Sequence, residues 1–214
     1  MLTHILFSIT GIAIAIYLSF SVAQIKLSLI QIAMVLILWQ YNLSFKKQPL
    51  IGNFMISLIV GIGMLLIPLY DLFPVIALDF QDLFLEIFKI IIVYAYCLFA
   101  LTFTYLLIKD LNNFKKDKEL KYNTTAIFLG KEKTKYLSII FISSLLAITS
   151  YIMFRFNSSL NIYIKLYAFI NVYIVSLYSL YLLNKSEYQK VLLVVKGIMI
   201  AIIFSFIMLH YSNV

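Results

Sequence analysis

The chain has 214 residues, 64% of them hydrophobic and 12% charged, with a mean hydropathy of +1.02. So apolar a composition leaves no room for a separate soluble domain, and the formal charge of +8 is distributed among loops rather than gathered into a nucleic-acid-binding patch. The single cysteine, Cys97, excludes a disulfide framework or a cysteine metal site. Lying within an apolar stretch, it reads as a small packing residue.

A lipid-spanning helix takes about 20 mostly apolar residues. Seven such stretches follow one another, at about 5–24, 27–45, 50–70, 84–108, 137–155, 161–183 and 190–211. Backbone amides in lipid must be satisfied within each segment or by a closed barrel, and these stretches are too long and continuous for barrel strands. The expected fold class is therefore all-α: a polytopic transmembrane helical bundle of about seven spans, one membrane-embedded domain over 1–214. Met1-Leu2-Thr3-His4 carries no lysine or arginine, so the first stretch reads as a span and not as a signal peptide.

The first notable connection is Tyr41 to Asn53, a short turn in which Pro49 ends one helical pattern and helps start the next. The segment around Pro68, Asp71 and Pro74 reads as an external loop with an interfacial piece. The longest polar connection, 109–136, opens with Lys109-Asp110-Leu111-Asn112-Asn113-Phe114-Lys115-Lys116-Asp117-Lys118. As a continuation of the fourth span it puts Asp110, Asn113 and Asp117 (i, i+3, i+7) on one helix face, with Leu111 and Phe114 on another side. Asn123-Thr124-Thr125 then suits the start of a new helical turn, and Leu129-Gly130-Lys131 a break before the next span. In the sixth span Tyr163, Tyr167, Asn171 and Tyr178 share a face with two readings, the lining of a polar cavity or, preferred, helix–helix packing through hydrogen bonds. His4 and His210 have no partners that would make them ligands or bases, and Lys196 in the last span snorkels.

Charge follows topology. Twelve of the seventeen basic residues fall in alternate loops with five acidic ones, leaving that face at +7, whereas the opposite face balances to zero. The positive-inside rule puts the basic loops and the N-terminus in the cytoplasm and, with seven spans, the C-terminus outside. No internal repeat or pair of broken helices favours a small transporter.

The 109–118 run and the Tyr41–Asn53 turn together resemble the UbiA superfamily of membrane prenyltransferases, in its digeranylgeranylglyceryl phosphate synthase-like branch. That family carries a stretch like Lys-Asp-Ile-Glu-Asp-Ile-Glu-Gly-Asp-Arg, then Lys-Thr-Leu-Pro and a Leu-Gly, in the loop after its sixth helix. Here Lys109 to Lys118 occupies the acidic stretch, and Lys121 through Gly130 matches the remainder without a gap. Pro-Leu-Ile-Gly-Asn, ending at Asn53, is similarly placed after the family's fourth helix. The spans then correspond to helices three to nine. The family's first acidic motif, Asn-Asp-x-x-Asp-x-x-x-Asp, would precede Met1, which makes an N-terminally incomplete domain the expectation. Asn112 and Asn113 replace acidic residues, and Tyr105-Leu106 stands where an Arg-Glu pair is common.

The resemblance implies transfer of a prenyl group from a prenyl diphosphate donor to a lipid or quinone-precursor acceptor in the bacterial inner (plasma) membrane, with Mg2+ as cofactor. It assigns Asp110, Asn113 and Asp117 to the metal; Lys46, Lys47 and Lys118 to the diphosphate; and Tyr41 and Asn53 to the substrate pocket. Carboxylates at one-turn spacing suit that task because a divalent cation offsets their repulsion. With one acidic cluster in place of two, weak magnesium–diphosphate binding and slow or no turnover are expected of the isolated chain. An upstream polypeptide supplying two helices would complete the site. The alternative is a catalytically inactive remnant acting as a lipid-binding or assembly component.

Overall fold

The computed structural model describes residues 2–45, 48–72, 81–155 and 169–212. Over these the chain is helical, and no strand occurs among the described residues. Helix α1 is Leu2–Ser21, α2 Lys26–Leu43, α3 Ile51–Leu72 and α4 Gln81–Asn112. Two short helices, α5 (Phe114–Glu119) and α6 (Thr125–Leu129), precede α7 (Lys131–Arg155). A π-helical turn, Phe169–Ile174, leads into α8 (Val175–Asn184), and α9 (Tyr188–Ser212) follows. Each of the seven expected stretches is mainly helical where it is described, the first ending early at Ser21 and the second at Leu43. Among the described residues, four helical segments are long and apolar enough to cross a membrane: Lys26–Leu43, Ile51–Tyr70, Phe88–Asn112 and Lys131–Tyr151. The protein is an all-α membrane helical bundle.

Helix α4 is the organising element, packed against α3, α7 and α9, while α2 docks on α3 and α1 on α2. Its 32 residues make it about 48 Å long at 1.5 Å per residue, well beyond a hydrocarbon layer of about 30 Å. The largest cluster of buried side chains surrounds it, with Leu101 and Ile108 of α4, Leu145 of α7, Leu183 of α8 and Val191 and Val195 of α9 all closed off. Lipid tails are as apolar as leucine, so close packing and not water exclusion holds such helices together. At Gly61 of α3 an added Cβ would lie 3.2 Å from the Ala95 carbonyl oxygen, so glycine lets α3 approach α4 closely. Polar cross-links supplement this packing: Tyr96 donates to Ser144 Oγ at 2.7 Å between α4 and α7, and Ser19 and Tyr70 hydroxyls meet at 3.1 Å between α1 and α3.

One expectation needs correcting. Pro68 is not in a loop: α3 runs through it to Leu72. Proline forfeits one backbone hydrogen bond, and membrane helices tolerate that where neighbouring helices cover the site; Pro68 is buried. Pro74 lies outside the described residues, as do Tyr163 and Tyr167 and the side chains of His4, Asn171 and His210. Tyr178, from the same expected face, is half exposed on α8 and stacks on Tyr181 with centroids 6.4 Å apart. Lys196 is exposed on α9, its Nζ 5.4 Å from the centre of the Tyr105 ring.

Candidate functional site

The polar run begins on the last turn of α4. The helix stops at Asn112, and Asn113 bends the chain (φ −91°, ψ 4°) into α5. Leu111 is buried, which turns Asp110 away from the core packing, and Phe114 lies under Lys131, whose Nζ is 4.5 Å from the ring centre. After α5 the chain reverses at Lys121, a non-glycine residue with φ 53°. It then enters α6 through Thr124, whose extended backbone (φ −83°, ψ 165°) starts that helix. Gly130, at φ 84°, separates α6 from α7. A left-handed conformation costs glycine little.

Opposite this structure stand the end of α2 and the start of α3. The turn between them is tight: a Cβ on Gly52 would lie 2.6 Å from the Phe45 carbonyl oxygen. Leu50 takes φ 66° just after Pro49, a conformation that costs a residue with a side chain about 1 kcal/mol or more. Its amide donates to Thr125 Oγ1 at 3.0 Å, joining the turn to α6.

Between the two sides lies a cavity of about 730 Å³. Asp110, Asn113 and Asp117 line it from one side, Tyr41 and Asn53 from the other. Five of the eight residues named from sequence are thus brought together. Lys118 is exposed and does not line the cavity, and Lys46 and Lys47 lie outside the described residues. The lysines that do line it are Lys109 and Lys121. Lys118 sits roughly 80° off the 110, 113, 117 stripe at 3.6 residues per turn, and Lys121 lies past the end of α5 at Glu119, where helical spacing no longer applies. Thr125 was legible only as part of a helix start, with nothing in its spacing to assign it to the site.

Asp110 is held firmly. Its Oδ2 accepts from Asn53 Nδ2 at 2.9 Å and from the Thr125 amide at 3.2 Å. Asn53 Nδ2 also reaches Thr125 Oγ1 at 3.0 Å. Thr124 Oγ1 is buried with no hydrogen-bond partner among the described residues. The sole ion pair among those residues, Lys190–Glu187, lies away from the cavity. The two lysines and two aspartates on its walls therefore remain uncommitted to one another.

No group of three histidine, cysteine, aspartate or glutamate side chains converges to cage a metal among the described residues. Two carboxylates and one amide oxygen on a single wall are nonetheless a donor set that fits magnesium, which keeps several waters and is commonly held by one or two carboxylates plus substrate phosphates. They fit an ion that arrives with its phosphate, not one bound by protein alone. An anion in the cavity would meet Lys109 and Lys121 as point charges.

The model of the UbiA prenyltransferase family matches residues 2–207 of the chain. No curated protein and no solved structure matches it.

Proposed function

This chain belongs to the UbiA prenyltransferase family, and from that premise we propose that it transfers a prenyl group from a prenyl diphosphate to an acceptor held in the membrane. The observation that carries the reading is the meeting of Asp110, Asn113 and Asp117 with Lys109 and Lys121 around one cavity beside the end of α4. Departure of diphosphate breaks the bond between the prenyl C1 and oxygen, and the electron pair leaves with the oxygen. The developing negative charge is the main obstacle, and fixed positive groups at that place lower it. Lys109 and Lys121 would supply two such charges, while Asp110, Asp117 and the Asn113 amide oxygen would hold magnesium. The chemistry such an ion would supply is positive charge to offset that of the leaving group. The acceptor's nucleophilic atom then bonds to C1 and gives up its proton to water or to the released diphosphate.

In this reading residues 1–214 form one membrane-embedded domain in a bacterial plasma membrane, with the cavity on the basic, cytoplasmic face. The branch that makes lipid or quinone precursors fits the 109–118 run. The test is prenyl transfer by the purified chain from radiolabelled prenyl diphosphates, run as single turnovers with protein in excess because slow turnover is expected of the isolated chain. Asp110→Ala and Asp117→Ala should each reduce it at least about 100-fold, the scale of losing a group that stabilises transition-state charge. Transfer unaffected by either substitution overturns the assignment.

Asn112 and Asn113, standing where the family has acids, favour a second reading: a non-catalytic chain that keeps the cavity for binding lipid diphosphates or for assembly. Asn113→Asp separates the two. A catalytic lineage predicts several-fold tighter divalent-cation binding, since a charged ligand replaces a neutral one. No gain, together with no turnover, leaves the non-catalytic reading standing.

A further inference from the structure

Hydrogen bonds converge on two atoms, Asp110 Oδ2 and Thr125 Oγ1, and join segments far apart in sequence: the turn before α3, the end of α4 and the start of α6. Thr125 and Ala126 are buried where α6 packs against α4 and α7, so this corner is fixed by packing as well as by bonds. Asp110 Oδ2 accepts two N–H groups, from the Asn53 side chain and from the Thr125 backbone amide, while the Thr125 hydroxyl holds Asn53 Nδ2 from behind. A carboxylate offers about two lone-pair sites per oxygen. Oδ2 is therefore spoken for, and Oδ1 is the oxygen left to serve a ligand.

We propose that Thr125 is the positioning residue for Asp110, clamping one carboxylate oxygen so that the other meets a divalent cation in the cavity as a single, fixed ligand. Magnesium demands near-ideal octahedral geometry, and partners behind a ligand set its orientation. The same hydroxyl accepts from the Leu50 amide, so the aim of Asp110 and the left-handed turn on the opposite wall are set together. Asn53, expected in the substrate pocket, serves as the second arm of this clamp.

The inference rests on Asp110 being a metal ligand, and the experiment separates the two ideas. Mn2+ binding to the purified full chain is measured by paramagnetic resonance, with inorganic pyrophosphate as the probe anion and thermal melting as the check on folding. Asn53→Ala, which removes a direct donor to Oδ2, should weaken Mn2+ binding roughly 10- to 100-fold; Thr125→Val, which keeps the amide but loses the hydroxyl holding Asn53, should weaken it by less, and Thr125→Ser should stay near wild type, as for other partners behind metal ligands. A purely structural threonine predicts instead that Thr125→Val lowers the melting temperature while its folded fraction binds normally; that result overturns the proposal. Should Thr125→Val fail to fold, Asn53→Ala decides, with wild-type affinity refuting the clamp. Wild-type binding by Asp110→Ala would remove the metal-ligand premise itself.

Discussion

Gly52 shows how narrow the tolerance around the cavity is. A methyl group there would sit 2.6 Å from the Phe45 carbonyl oxygen and 3.3 Å from the Tyr41 ring. Backbone cannot yield as a flexible side chain does, so the turn carrying Pro49 and Leu50 would have to move, and the Leu50–Thr125 bond with it. Gly52→Ala should destabilise the protein by about 1–3 kcal/mol, as overpacking usually does, and should weaken Mn2+–pyrophosphate binding. Gly197 of α9 is the internal comparison, having no atom within 4 Å of an added Cβ. Gly197→Ala should be neutral or stabilising by up to about 1 kcal/mol, the helix-propensity difference. Parallel melts in detergent check both; equal melting temperatures for the two variants would refute the steric account.

At the scale of elements, α4 carries both the core and the site. Below Asp110 its Phe99 and Phe103 rings stack with centroids 6.1 Å apart, and they meet Phe54 of α3 (5.6 Å from Phe99) and Phe141 of α7 (4.7 Å from Phe103) edge-on. This set joins the three helices that hold the last turn of α4 in place. Phe103 is buried, and Phe103→Ala should cost about 3–5 kcal/mol, the range for large-to-small changes in packed interiors. Phe128 on α6 is 63% exposed, so Phe128→Ala should leave the melting temperature nearly unchanged. The same element explains a partial success of sequence reasoning. Period 3.6 put Asp110, Asn113 and Asp117 on one face, and all three line the cavity even though the helix breaks at Asn113, because α5 resumes in similar phase. Beyond Glu119 there is no helix to extrapolate, and local spacing no longer says which lysine faces inward.

For the whole molecule, the proposed orientation makes a prediction of its own. Cys97 is buried in α4 and should resist a membrane-impermeant maleimide on intact cells, which leaves a silent background. In a Cys97→Ser chain, Lys26→Cys, at the start of α2, should label from outside, whereas Lys118→Cys, on the cavity side, should label only after the membrane is opened. Labelling in the reverse sense would invert the topology and place the cavity on the outer face.

Hydropathy alone determined that this chain is a helical membrane bundle, because a lipid solvent requires each span to satisfy its own backbone and so writes every span into a contiguous apolar run. The stripe of candidate ligands was equally legible, being a local consequence of helical repeat. Tertiary structure alone decided that Thr125 and Asn53 close on Asp110, 15 and 57 residues away respectively, and that Lys121 and not Lys118 lines the cavity. Those contacts depend on how α3, α4 and α6 pack and on left-handed turns at Leu50 and Lys121. Neither leucine nor lysine announces such a turn, since both favour the right-handed region unless the surrounding packing forces them out of it.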